Sequence, residues 1–287
     1  NDLRFYKEFT GEVPAVLWML DQIGRKHVGI DQLDALLLDA AWNRLAKLDL
    51  TDHAMLERAI KQPAEIALTV EAASFADLFL TLLHSNAGDI ISQGGTETDL
   101  MANAMADARG ALMAKHKAAF VGTPLGITAS VHSGPRAALP HGAVMERVPQ
   151  GGETLIAGIG ASLGGYHAES GVTLIVGDIS PEQRRIMTAM EACNDAAVDA
   201  CAKRQTCTAA NDTALGALRN AGLGDAIRHR IGHGMGLEGH EAPWLAPGDP
   251  TQIQANMIFS NEPGVYRPNL DGYRTINTMI VTETDVD

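Results

Sequence analysis

His233 stands between two glycines in Gly232-His233-Gly234, and the chain continues through His240-Glu241, Asn261-Glu262-Pro263-Gly264 and Gly272-Tyr273-Arg274. Imidazoles and carboxylates placed at such turns support two kinds of chemistry. They can hold a divalent ion that polarises the bond being cut. They can also hold and move protons, with burial shifting each group's pKa. The C-terminal third therefore carries the donors of a hydrolytic site, led by His233 and Glu262.

These residues need a frame, and the sequence predicts one of helices, strands, helices and strands. Residues 1–51 mix a helix at 14–23, a strand at 26–30 and a second helix at 31–45. A long helix starts at Gln62, with Pro63 at the first position, where its missing N–H costs nothing, and Gly88 is expected to end it. Thr96 and Asp99 cap the next helix. From 119 to 177, β-branched pieces broken by Gly and Pro predict strands. Ser180-Pro181-Glu182-Gln183 opens another helix, whose buried stripe includes Cys193 and Cys201. A helix over 209–220 leads to strands from Arg228 onward.

The chain has 287 residues, 46% hydrophobic and 20% charged, enough for a large core. Its 22 Lys+Arg against 35 Asp+Glu, a formal charge of −13, predict no nucleic-acid partner. Three cysteines without a Cys-x-x-Cys pair predict core thiols in a reducing cytoplasm. No apolar run is expected to cross a bilayer, and Asn1-Asp2-Leu3-Arg4 does not begin a signal peptide. The sequence as it stands is expected to be trimmed at both ends.

The order and spacing of the C-terminal motifs resemble the pita-bread hydrolases, which include methionine aminopeptidase, Xaa-Pro aminopeptidases, prolidases and creatinase. The resemblance implies an α+β pita-bread fold of duplicated helix-strand halves over residues 59–287. Residues 1–58 would be the C-terminal remnant of a creatinase-type N-terminal domain. It also implies five metal-ligand positions for two ions. Here Gly158 falls at the first, Glu169 at the second, His233 and Glu262 at the next two, and Ile276 at the last. Two positions have thus lost their acid. Glu169, His233 and Glu262 could still hold one Zn, Mn or Fe ion, although an apolar Ile276 would desolvate it without compensation.

On that ground the sequence predicts no cofactor and a creatinase-like, metal-independent hydrolase cutting a carbon–nitrogen bond in a small amide, amidine or guanidino compound. His141, in the segment resembling the one that carries creatinase's His, would move the proton. Glu169 and Glu262 would activate water or anchor a cationic group, and His233 and His240 would orient the substrate. Tyr166, Glu241 and Arg274 are assigned to substrate binding. One alternative is an Xaa-Pro aminopeptidase or dipeptidase with at most one ion; another is a non-catalytic binding protein on the same fold. The expected partners are a small molecule or short peptide and a second copy of the chain in a homodimer, with no nucleic acid and no membrane.

Overall fold

The computed structural model describes residues 8–117, 119 and 125–287. The signal-peptide reading of Asn1–Arg4 and residues 120–124 of the expected strand region lie outside them. The chain divides into two compact units, Asn1–Arg58 and Ala59–Asp287.

In the first unit, α1 (Ala15–Ile23), β1 (His27–Ile30), α2 (Leu38–Trp42), β2 (Lys47–Leu50) and α3 (His53–Ala59) follow in order. β2 pairs with β1 in parallel, a strand that the short Lys47-Leu48-Asp49-Leu50 segment did not announce. Leu17, Leu20, Ala41 and Leu48 form the small core.

The second unit is α+β and repeats one plan twice: two helices, then a three-stranded antiparallel sheet. The first half comprises α4 (Pro63–Ser92), α5 (Glu97–His116), β3 (Gly126–Ser133), β4 (Thr154–Leu163) and β5 (Tyr166–Ile175), with strand order β3-β4-β5. In the second half, α6 (Pro181–Ala202) and α7 (Cys207–Asn220) precede β6 (Gly232–Gly234), β7 (Ile258–Asn261), β8 (Gly264–Arg267), β9 (Asp271–Arg274) and β10 (Asn277–Ile280). Its sheet runs β10-β7-β6, with β8 and β9 paired beside it. A bridge between Gly171 and Ile276 joins the halves.

The predicted caps form. Thr96 Oγ1 accepts from the Asp99 N–H while Asp99 accepts from the Thr96 N–H, and Ser180 and Gln183 do the same. These bonds satisfy backbone donors that a helix start would otherwise leave open. Gly88 does not end α4. A Cβ there would meet nothing within 4 Å, so a lone glycine only weakens the helix; the turn comes at Gly94-Gly95, where the Gly95 N–H returns to the Ile90 carbonyl.

Helix α4 also corrects the expectation about membrane spans, because by length and composition it is apolar enough to cross one. Its buried Phe75, Phe79 and Leu83 pack with Leu100 and Leu112 of α5 and with Val131, Leu155 and Ile159 of the sheet. Helices α6 and α7 build the second core with Phe259, Val265 and Tyr273. Cys193, Cys201 and Cys207 are free and buried there, and burial pushes each thiol up to about 12.

Candidate active site

Glu169, His233 and Glu262 come from strands or their ends. In the β4–β5 hairpin, Gly160 pairs with Glu169 and Gly158 with Gly171, which puts Gly158 and Glu169 on one face. Thr278 on β10 clamps the Glu169 backbone, its hydroxyl accepting from the Glu169 N–H at 2.9 Å and donating to the Glu169 carbonyl at 2.8 Å. Opposite, His233 on β6 pairs with Ser260 on β7. A Cβ at residue 232 would stand 1.9 Å from the Ser260 carbonyl oxygen, so glycine is required before this histidine. Glu262 follows β7, its N–H bonded to the Ile231 carbonyl at 2.7 Å.

Next to Gly234 the chain doubles back. The Glu241 N–H donates to the Gly234 carbonyl, and the Gly234 N–H to the Pro243 carbonyl. This fold brings the His240 ring to a centroid distance of 3.9 Å from His233.

At the centre, His233 is fully buried. Its Nδ1–H donates to the Gly234 carbonyl at 3.0 Å, so in the neutral ring the lone pair sits on Nε2. Nε2 has no hydrogen-bond partner and faces Glu169 Oε2 at 3.6 Å and Glu262 Oε1 at 3.4 Å. Burial raises the Glu169 pKa, reinforced by Glu262 and opposed by His233. For Glu262 burial acts the same way, but His233, His229 and Arg274 outweigh it and hold the carboxyl below its usual range. His233 is raised, because the two carboxylates overcome the burial that would lower it. His240 is lowered, first by burial and then by His233.

Ligand atoms of Glu169, His233 and His240 all lie within 4.8 Å of one another. A buried imidazole nitrogen without a partner, aimed at two carboxylates and backed by a second imidazole, fits a divalent ion. This group shares Glu169 and His233 with the expected trio and has His240 in place of Glu262. The other two family positions do not fit a second ion. Gly158 offers no donor, and the Ile276 side chain fills the space against Gly158 and Gly171.

Glu169, Glu262, His141, His240 and Arg274 line one cavity of about 330 Å³, together with Gly158 and Ile276. His141 is exposed at its edge. Two residues assigned to substrate binding lie elsewhere. Glu241 is buried and ion-paired with Lys61 Nζ at 3.0 Å, and the Tyr166 hydroxyl hydrogen-bonds Glu65; neither lines the cavity.

Sequence reasoning passed over Glu97. Fully buried, it accepts from the Ser133 N–H and hydroxyl at 2.8 Å each and from the Met145 N–H at 3.1 Å, and it pairs with Arg136. These bonds tie down both ends of the segment that carries His141. Lys61 and Thr278 were missed as well; only the helix-start position of Glu97 gave a signal, and it pointed to a cap.

Residues 70–283 match the profile of metallopeptidase family M24. The Xaa-Pro dipeptidase of Pyrococcus furiosus is 33% identical over 153 residues, covering 53% of this chain and 44% of that protein. The probable dipeptidase PepE of Mycobacterium bovis is 30% identical over 236 residues, covering 81% and 59%. The chain thus spans about half the length of the curated relatives it matches. In fold, the prolidase from Pyrococcus furiosus superposes with a TM-score of 0.80 at 23% identity, over 96% of this chain and 79% of that one.

These likenesses overturn two expectations. A metallopeptidase family, with relatives named as dipeptidases, does not support a creatinase-like metal-free reaction. The expectation of no metal fails too, because counting lost acids overlooked His240, which the fold returns to Glu169 and His233. With its α+β pita-bread fold, the chain belongs to metallopeptidase family M24.

Proposed function

We propose that this chain is a peptidase of the dipeptidase type, acting on short peptides, Xaa-Pro peptides among them, with one divalent ion per chain. The observation that carries this reading is the buried, partnerless Nε2 of His233 facing Glu169 and Glu262. Glu169, His233 and His240 would hold the ion, with Glu262 beside them. When bound, the ion supplies Lewis-acid polarisation of the peptide carbonyl.

The chain's own groups do the rest. Glu262, its carboxyl held below the usual range, would take a proton from the attacking water at Oε1. His141, at the cavity's edge, returns a proton to the leaving amine. Ile276 narrows a cavity whose volume lies at the small end for ligand sites.

The proposal includes a homodimer, a cytoplasmic location and a creatinase-type N-terminal domain ending in Asn1–Arg58. Three buried free thiols support the reducing compartment, and the parallel β1–β2 pair with its helices supports the α/β domain.

Purified protein assayed on a panel of Xaa-Pro and other dipeptides, before and after chelation and again after Zn, Mn or Fe is restored, tests the reading. Hydrolysis lost on chelation and regained with the ion is expected. Turnover indifferent to chelation, or none under any loading, would overturn it.

A further inference from the structure

His240 is exposed, and among the described residues no hydrogen bond holds its ring, yet the ring lies 3.9 Å, centroid to centroid, from that of the buried His233. Its place must come from the backbone that carries it. That backbone is the loop of residues 235–241, folded around the carboxylate of Glu241. Oε2 accepts from the Glu238 N–H at 3.2 Å, and Oε1 accepts from Lys61 Nζ at 3.0 Å. The Glu241 N–H returns to the Gly234 carbonyl, and the His167 N–H donates to the Gly236 carbonyl at 2.9 Å.

Gly236 makes room for the pair. A Cβ there would overlap Glu241 Oε1 and stand 3.0 Å from Lys61 Cε. Lys61 is itself fixed just ahead of α4, where its N–H donates to the Asn256 carbonyl at 2.9 Å, so the ammonium reaches the loop from a segment 180 residues away. Taking two charges out of water costs much of what their attraction returns, and neutral, well-packed side chains of the same size would give up little stability. What neutral side chains lack is direction. A buried pair with hydrogen bonds on both partners admits one arrangement of the loop, where apolar packing admits several.

We infer that Lys61 and Glu241 are positioning residues: their buried pair sets the 235–241 loop so that the His240 ring stays against His233. The use of that ring in holding an ion rests on the peptidase reading above; its placement does not.

Lys61→Met/Glu241→Gln removes both charges and keeps an acceptor for the Glu238 N–H. Crystal structures of the metal-free wild type and variant read the ring, and calorimetric titration with Zn reads the site. The His240 ring is expected to move at least about 1 Å from His233 or become disordered, and Zn affinity to fall about 10–100-fold, as when groups behind a metal ligand are removed. Leu218→Ala, a cavity in the second core, lowers stability without touching the loop and should leave the affinity within about twofold. Gly236→Ala, which keeps both charges and crowds the carboxylate, should displace the ring in the same way and carries the test should the double variant not fold. A ring unmoved in the double variant, or in Gly236→Ala when that carries the test, overturns the assignment, and so does a Leu218→Ala that weakens Zn as much. A ring that moves while Zn affinity holds keeps the positioning and removes His240 from the ion's ligands. A wild type that hydrolyses no peptide, with the ring displaced in the variant, sinks the peptidase and leaves the positioning.

Discussion

Nε2 of His233 stands 3.4 Å from Oε1 of Glu262, inside the protein and without a hydrogen bond. The two carboxylates beside it favour a proton on that nitrogen, and a divalent ion would take the proton's place there.

Replacing His233 removes that imidazole nitrogen. His233→Gln is expected to weaken Zn binding by at least about 100-fold, since even groups that only orient ligands change metal affinity 10–100-fold. Titration calorimetry on wild type and variant measures it; equal affinities would show that the ion, if bound, sits elsewhere.

The Lys61–Glu241 pair is almost completely buried, at 2% and 1% exposure, and Glu241 also accepts from the Glu238 N–H. Lys61→Met leaves the carboxylate buried without its lysine and should cost about 3–5 kcal/mol, against a smaller cost for Lys61→Met/Glu241→Gln. Denaturant unfolding of both variants decides. A single variant as stable as the double would count against the pair.

Glu97→Gln keeps the shape of the side chain but removes the charge that pairs with Arg136. Losing a buried charge-assisted network should destabilise the chain by about 2–4 kcal/mol. With His141 no longer held from both ends, KM for a dipeptide should rise while the ion affinity stays within about twofold. An altered ion affinity with unchanged KM would contradict this.

His132 is fully buried, with neither ring nitrogen hydrogen-bonded. Burial, then the charges of Arg274 and Arg136, lowers its pKa to about 4 from an ordinary 6.5. The unfolded chain therefore binds a proton that the folded one refuses between those values. Stability present above pH 6.5 is lost as the pH falls toward 4, by up to about 3 kcal/mol. His132→Phe should flatten that part of the stability curve measured by denaturant unfolding; an unchanged slope would remove His132 as its source.

The sequence carries local features well and long-range ones poorly. The caps at Thr96 and Ser180 are short-range bonds, readable from three residues each. The Gly232-His233-Gly234 motif is readable from three residues, although it forms strand β6 rather than a turn, with glycine at 232 because a Cβ there would strike the Ser260 carbonyl. The clamp of Thr278 on Glu169, 109 residues apart, and the Lys61–Glu241 pair, 180 apart, have no such local mark. His240 shows the same limit with a larger consequence. Its place in the ligand group depends on the chain folding back at Gly234, so a count of lost acids alone led to a metal-free site.

Metal content per chain tests the central claim most directly. Protein loaded with Zn, dialysed and measured by plasma mass spectrometry should hold one ion, because Glu169, His233 and His240 converge while Gly158 and Ile276 supply no donor. Two ions per chain, or none, would contradict the account.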